Sequence, residues 1–198
     1  ASVEVRPEHL VQFAYMGAGF MTAVHGVERP RVGLLSVGEE SGKGTPDVLT
    51  AHERLAGGVL NFVGNVEGFD LPTSGADVIV TDGFTGNVML KLSEGLTEAM
   101  LSMLKRELMA TAVTKAGAML AKPAFRSIKK RLDYTEYGGA PLLGVSRIVV
   151  LGHGRSNARA IRNAIRSVKE FSENRTADLI KEGIERPQTT RLGLRVSV

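Results

Sequence analysis

Four short stretches of this chain are apolar almost without interruption, and they restrict its fold more than any other feature of the sequence. They are 31–37 (RVGLLSV), 59–63 (VLNFV), 76–81 (ADVIVT) and a run within 142–151 that ends RIVVL. A strand with one wet face alternates apolar and polar residues, so these stretches suit parallel strands buried on both faces. Parallel neighbours cannot be joined by a tight hairpin and need a crossover, usually a helix. Helical patterns are present at 7–27, with Leu10, Phe13, Ala14 and Gly17 on the apolar side, at 47–56 and at 159–171. Strand alternating with helix predicts an α/β fold, a largely parallel open sheet in three αβα layers.

Between the third and fourth runs lies a long helical region. Leu101, Leu104, Leu108 and Ala112 recur at helical spacing, Pro123 interrupts, and Phe125, Ile128 and Leu132 restart the pattern. The expectation is a projecting helical hairpin over about 93–132, bent at the small apolar segment 116–121 (AGAMLA). Its second half is basic. Lys115, Lys122, Arg126, Lys129, Lys130 and Arg131 fall within 111–132, a stretch without a single acid, in a chain whose formal charge is +4. Such a patch attracts an acidic protein, an anionic lipid surface or nucleic acid, unless it is only a solvated helix face.

With 198 residues, 43% of them hydrophobic, the chain suits one domain. Residues 1–185 are expected to form it. Residues 186–198, with Arg186, Arg191 and Arg195 but little apolar content, are expected to be a flexible tail. The absence of Cys excludes disulfides, thiolate metal sites and a cysteine nucleophile. It also fits a reducing compartment. No apolar run approaches the roughly 20 residues of a membrane span. The opening residues lack a signal-peptide pattern, so a cytoplasmic location is expected. The chain starts at Ala1 and not at Met, which suggests processing or truncation.

The loops after the strands carry the chemistry. In open α/β sheets such loops share one edge and form the ligand crevice, and free N–H groups at helix starts favour anions there. The loop 82–87 (DGFTGN) is the most informative. Gly83 and Gly86 permit close backbone approach, Thr85 and Asn87 can bond a ligand or cap the next helix, and Asp82 sits at a strand end. The loop 152–157 (GHGRSN) sets an imidazole, a guanidinium and a hydroxyl among glycines. Arg155 can grip phosphate bidentately, and His153 can serve near neutral pH as acid, base or oxyanion donor. The loop 38–44 (GEESGKG) offers Lys43 to an anion, although it lacks the GxxxxGK[ST] spacing of a P-loop. Asn65 and Glu67 in GNVEG are weaker candidates, and His9, His25 and His52 have no comparable setting. There is no GxGxxG fingerprint and no spacing typical of metal ligands.

At these loops the sequence resembles the phosphate acyltransferases of bacterial phospholipid synthesis, which make acyl phosphate from acyl-acyl-carrier-protein. The resemblance rests on HLVQFAYMG, PRVGLLSVGEESGKG, LNFVGNVEG, ADVIVTDGFTGNVMLK, LDYTEYGGAPLLG and GHGRSNARAIRNAI, in order from about His9 to Phe171. It implies a fold of the isocitrate/isopropylmalate dehydrogenase type, shared with phosphotransacetylases. It also implies a homodimer that associates loosely with the inner face of the membrane. The family's N-terminal portion, with its own Gly-rich motif, has no counterpart here, so the chain is expected to be a C-terminal part. Asn157 stands where similar sequences often carry Asp.

The chemistry implied is direct attack of phosphate on an acyl thioester, with no covalent acyl-enzyme and no cofactor or metal. Asp82, Asn87 and His153 are then the expected catalytic residues. Gly83, Thr85, Gly86, Arg155, Ser156, Lys43 and Asn65 are the expected phosphate or substrate contacts. Lys122, Arg126, Lys129 and Lys130 would meet acyl carrier protein or an anionic membrane. A downstream glycerol-3-phosphate acyltransferase is a further partner by the same resemblance, and nucleic acid is not expected. Two other readings stay open: a carrier-protein-binding module without activity, and a nicotinamide-dependent dehydrogenase of the same fold class.

Overall fold

The structure is a computed structural model that describes residues 2–132, 138–154 and 156–185; the expected tail, 186–198, lies outside the described residues. Among them are seven helices and five strands, ordered α1 (Pro7–His25), β1 (Arg31–Leu35), α2 (Pro46–Ala56), β2 (Asn61–Val66), β3 (Val78–Val80), α3 (Gly83–Leu108), α4 (Ala112–Leu120), α5 (Lys122–Leu132), β4 (Ala140–Pro141), β5 (Val150–Leu151), α6 (Ala158–Glu173) and α7 (Thr176–Glu185). The fold is α/β, with a parallel three-stranded sheet in the order β2-β1-β3. The chain divides into two compact units. The first holds 2–86, 141–149 and 168–185, and the second holds the remaining described residues.

In the first unit, local signals set where the helices begin and end. Pro7 occupies the first turn of α1, where its missing N–H is no loss, and the Arg6 N–H donates to His9 Nδ1 at 3.2 Å. Gly26, at φ 66°, ends the helix, with its N–H on Thr22 O and the Val27 N–H on Met21 O. Thr45 caps α2 by accepting from the Val48 N–H. Both helices bury their apolar sides against the sheet. Leu10, Ala14 and Tyr15 of α1 and Ala51 and Leu55 of α2 form one core with Val32, Leu34 and Val80. Each fully buried Leu or Val in such a core contributes about 1.5–3 kcal/mol. Where α1 crosses β3, a Cβ on Gly17 would lie 2.5 Å from Val78 Cγ1, so only glycine permits the approach.

Register is fixed at two places. Arg31 is tied to Asp77 through its N–H and through Nε and Nη2, and the Asp77 N–H returns to Arg31 O at 2.8 Å. These bonds lock the start of β3 against the start of β1. In β2, Val32 pairs with Phe62 but Gly33 pairs with Gly64, so Val63 is an extra residue in a β-bulge. Gly64 supports the bulge at φ 97°. A bulge changes the face on which the following side chains lie, and here it buries both Asn65 and Val66. Helix α7, which the sequence pattern did not predict, packs on α1, with Gly19 against Ile180, and Phe20 of α1 lies edge-on to Phe171 near the end of α6.

Two expectations are corrected. Of the run 142–151, only Val150–Leu151 is strand, and it pairs with β4 in a separate two-stranded sheet outside the parallel one. Gly144, at φ 78°, turns the chain ahead of that strand. The helical region breaks twice, once ahead of the expected bend and once at its last residue. The segment 116–120 is helical, and the breaks fall at 109–111 and at Ala121. The Thr111–Thr114 capping box starts a new helix at the first break, and Pro123 sits in the first turn of α5 after the second.

In the second unit, α3, α4 and α5 enclose a groove of about 830 Å³ lined by Leu101, Leu104, Met119, Phe125 and Ile128. Neither α3 nor α4 buries a residue, and Val113, Met119 and Leu120 are among the most exposed apolar side chains. No helix among the described residues is long and apolar enough to cross a membrane.

Candidate functional site

The parallel register places Leu34 of the central strand beside Asn65 of β2 on one side and Val80 of β3 on the other. All three strands therefore deliver their following residues to a single edge, which is where open α/β sheets bind ligands. Three loops leave that edge: 36–45 after β1, the turn from Glu67 after β2, and 81–82 after β3, which runs into α3.

The first loop is held from beneath by Asn65. This residue is only 7% exposed, and its Nδ2 donates to Glu40 O at 2.8 Å and to Lys43 O at 3.4 Å. Its Oδ1 faces His52 Nδ1 at 2.9 Å. The two backbone carbonyls fix which end of the amide carries hydrogens, so His52 must be the donor, from Nδ1. The Ser36 hydroxyl adds a second bond to Lys43 O at 2.8 Å. Lys43 itself is exposed, with its stem against Gly38. Asn65 thus supports the loop that carries Lys43 and spends its amide hydrogens on backbone. His52 and Ser36 belong to the same arrangement. Sequence reasoning missed both, because nothing adjacent to either residue signals a pairing with Asn65, which lies 13 positions beyond His52.

In the third loop Asp82 caps α3. Its Oδ1 accepts from the Thr85 N–H at 2.8 Å and its Oδ2 from the Thr85 hydroxyl at 2.6 Å. The cap is therefore Asp82, and Thr85 serves as its donor. Partial burial pushes the Asp82 carboxyl up, but the Thr85 hydroxyl and the N–H groups of Thr85 and Phe84 outweigh it and hold the group below the ordinary carboxylate range. Asp82 is thus ionised at neutral pH, and so low a pKa makes it a weak general base. Gly83 is the first helical residue, and a Cβ on Gly86 would meet Thr81 Cγ2 at 3.0 Å. Asn87 follows inside α3, exposed, at the start of the second unit.

The loop after β5 lies in the second unit. His153 is exposed, and its carbonyl accepts from the Ser156 N–H at 2.9 Å. The Ser156 hydroxyl is shut off from solvent and has no hydrogen-bond partner among the described residues. A buried hydroxyl left in that state costs about 1–3 kcal/mol, so something is expected to engage it. Asn157 Oδ1 accepts from the Ala160 N–H and caps α6. Asp caps equally well, so the substitution noted in the sequence keeps the local structure. Arg155 lies outside the described residues.

Of the basic candidates, Lys122 and Arg126 on α5 border the apolar groove together with Lys105 and Lys115. Helix α5 carries Lys129 and Lys130 further along, but their side chains lie outside the described residues. Among the described residues, no three His, Asp or Glu side chains are grouped as a metal site would require.

Comparison with known proteins adds the chemical context. Residues 1–179 match the family described as fatty acid synthesis protein. The chain is 49% identical over 184 residues, 93% of its length, to a protein of Elusimicrobium minutum named phosphate acyltransferase. It is 48% identical over 196 residues to a phosphate acyltransferase of Nitratidesulfovibrio vulgaris, and 45% identical over 188 residues to one of Thermodesulfovibrio yellowstonii. The matched regions cover 54%, 56% and 54% of those relatives, so the chain spans about half their length.

Proposed function

Since the chain belongs to the fatty acid synthesis protein family, we propose that it serves a phosphate acyltransferase, taking a fatty acyl group from acyl carrier protein to inorganic phosphate for phospholipid synthesis. The observation that carries this reading is near-half identity, sustained over almost the whole chain, to relatives of that name. The parallel sheet supports it physically, since its carboxyl edge brings Lys43 and the glycine-bordered start of α3 onto one side of one unit. The fold is assigned to the isocitrate/isopropylmalate dehydrogenase type, in three αβα layers with a projecting hairpin.

A phosphate oxygen attacks the thioester carbonyl carbon. The new C–O bond forms, the carbonyl oxygen becomes an oxyanion, and collapse of that intermediate breaks the C–S bond. The carrier's thiolate leaves and is protonated, and acyl phosphate is released. Phosphate is already a nucleophile, so positioning dominates, and it can supply roughly 7–11 kcal/mol. An oxyanion donor adds about 3–4 kcal/mol. Phosphate contacts are assigned to Lys43 and to the backbone and hydroxyl groups of Gly83, Thr85 and Gly86. Contacts at the reacting centre are assigned to Asn87, His153, Arg155 and Ser156. The Ser156 hydroxyl, buried and without a hydrogen-bond partner among the described residues, supports that assignment. Asp82 orders the start of α3 through its two bonds to Thr85.

The exposed apolar face of α4 and the basic rim at Lys115, Lys122 and Arg126 support a docking role for the hairpin. Its occupants are the acidic carrier protein and the anionic inner face of the membrane, with Lys129 and Lys130 extending the rim. A homodimer and a downstream glycerol-3-phosphate acyltransferase complete the proposed assembly. The test is acyl phosphate formation by the full-length protein from acyl-acyl-carrier-protein and phosphate. Asn87→Ala and His153→Ala are each expected to lower kcat/KM by about 10²-fold or more, the scale of one lost oxyanion donor or general acid–base group. Near-normal rates in both, and in Asp82→Ala, reject the site.

A further inference from the structure

The loop 38–44 is built to move unless something holds it. It contains Gly38, Gly42 and Gly44, the last at φ 128°, and most of its residues are exposed. Three glycines in seven residues leave many backbone states open, and ordering them costs entropy. Yet the Lys43 carbonyl receives two hydrogen bonds, from the Ser36 hydroxyl and from Asn65 Nδ2, and the Lys43 N–H bonds to Glu40 O at 3.0 Å. The second hydrogen of Asn65 Nδ2 goes to that same Glu40 carbonyl. One buried amide therefore grips both ends of the turn that carries Lys43.

Asn65 is in turn held by His52. The His52 ring lies edge-on to Phe62, 5.0 Å between centroids, and sits on α2, whose Ala51 and Leu55 are in the core. The bulge at Val63–Gly64 lies immediately before Asn65, just where a change of face would set its direction. The chain of contact runs from the core through α2 and His52 to Asn65, then to the Glu40 and Lys43 carbonyls.

We propose that Asn65 and His52 are positioning residues that fix the 38–44 loop and, through it, the place of the Lys43 ammonium. The proposal rests on the reading above, in which Lys43 contacts phosphate. Asn65 does not itself need to touch phosphate, which revises the expectation drawn from the sequence. The consequence is specific: loosening the loop weakens phosphate use through Lys43 and leaves the bond-making step intact.

The experiment measures steady-state kinetics and amide hydrogen exchange on full-length protein carrying Lys43→Ala, Asn65→Ala, the double substitution, His52→Ala and His52→Gln. Asn65→Ala is expected to raise the KM for phosphate about tenfold, the equivalent of ordering one long side chain, with kcat changed less than about twofold. Exchange at 38–44 should quicken, and the double substitution should be no worse than Lys43→Ala alone. Gln at position 52 keeps a donor for Asn65 Oδ1 and should recover most of what His52→Ala loses. Losses in Lys43→Ala and Asn65→Ala that multiply in the double variant, or unchanged exchange at 38–44, overturn the proposal. If Lys43→Ala leaves the KM for phosphate unaltered, the reading of this loop as a phosphate contact fails; the exchange data then judge the bracing role alone. Should Asn65→Ala not fold, Ser36→Ala removes the other tie to Lys43 O from a half-buried position and is held to the same outcomes.

Discussion

Asp82 grips Thr85 twice, through its N–H at 2.8 Å and its hydroxyl at 2.6 Å, and so closes the first turn of α3. That pair separates a structural role from a chemical one. Asp82→Ala removes the cap and should cost about 1 kcal/mol of stability, whereas Asn caps as well as Asp and should cost little. If the cap is all that Asp82 provides, Asp82→Asn also keeps most of its activity. A stable Asp82→Asn protein that has lost about 10²-fold in rate would show that the negative charge takes part in the reaction.

The same carboxylate has a pH signature. Its pKa is held below the ordinary carboxylate value of roughly 4. A group with a depressed folded pKa adds stability that is fully present above the unfolded value. That stability is lost as pH falls through the folded value. Denaturant melts between pH 6 and pH 3 should therefore show an acid limb that is shallower in Asp82→Asn than in the parent protein. Equal limbs would mean that Asp82 titrates alike in both states.

Much of this arrangement could be read in the sequence, and the exceptions have physical causes. The three parallel strands and helices α1, α2 and α6 follow apolar patterning and cap chemistry, which are local. The fourth run does hold a strand, Val150–Leu151, but apolar content does not tell which sheet a strand joins, and this one pairs with β4 outside the parallel sheet. Of the two breaks in the hairpin, the one at Ala121 falls at the end of the small-residue segment 116–121, whereas the one at 109–111 is set by Thr111 and Thr114, which restart the helix by satisfying its free N–H groups. The loop residues were legible as a set. The roles of Asn65 and His52 were not, because they depend on a bulge that turns one side chain toward the preceding helix, which apolar patterning does not reveal.

The crossing of α1 over β3 gives a test of packing. A methyl group at Gly17 would fall 2.5 Å from Val78 Cγ1. Gly17→Ala should cost about 1–3 kcal/mol, the usual penalty for overfilling a packed contact. Adding Val78→Ala should recover part of that loss, because it removes the methyl that clashes. A double variant as unstable as the sum of the two single variants would place the strain elsewhere, and chemical melts of the four proteins decide it.

Arg31 and Asp77 form a fork that fixes β3 against β1. The Arg31 guanidinium and N–H hold the Asp77 carboxyl below its ordinary range, and the pair is solvent-exposed. Exposed ion pairs are weak and are screened by salt. The prediction therefore concerns sign and not size: Asp77→Asn should lower stability above the ordinary carboxylate value and lose less than the parent as pH falls below it. Raising salt from 0.05 M to 1 M should narrow the gap between the two proteins. A gap that salt leaves unaltered would assign the effect to the backbone bonds between Arg31 and Asp77.

The hairpin offers the sharpest division between its proposed occupants. Lys122 and Arg126 border an apolar groove, and Met119 and Leu120 on α4 are exposed nearby in sequence. Charge and apolar surface act differently on the two partners. A juxtamembrane basic residue adds about 1 kcal/mol toward an anionic bilayer, so Lys122→Glu with Arg126→Glu should lower partition onto anionic vesicles at least tenfold. Met119→Ser with Leu120→Ser removes apolar surface without changing charge. It should weaken vesicle binding while leaving the KM for acyl carrier protein nearly unaltered. If the charge reversals raise the carrier KM and spare vesicle binding, the rim belongs to the protein partner alone. If neither pair of substitutions moves either measurement, the hairpin docks neither.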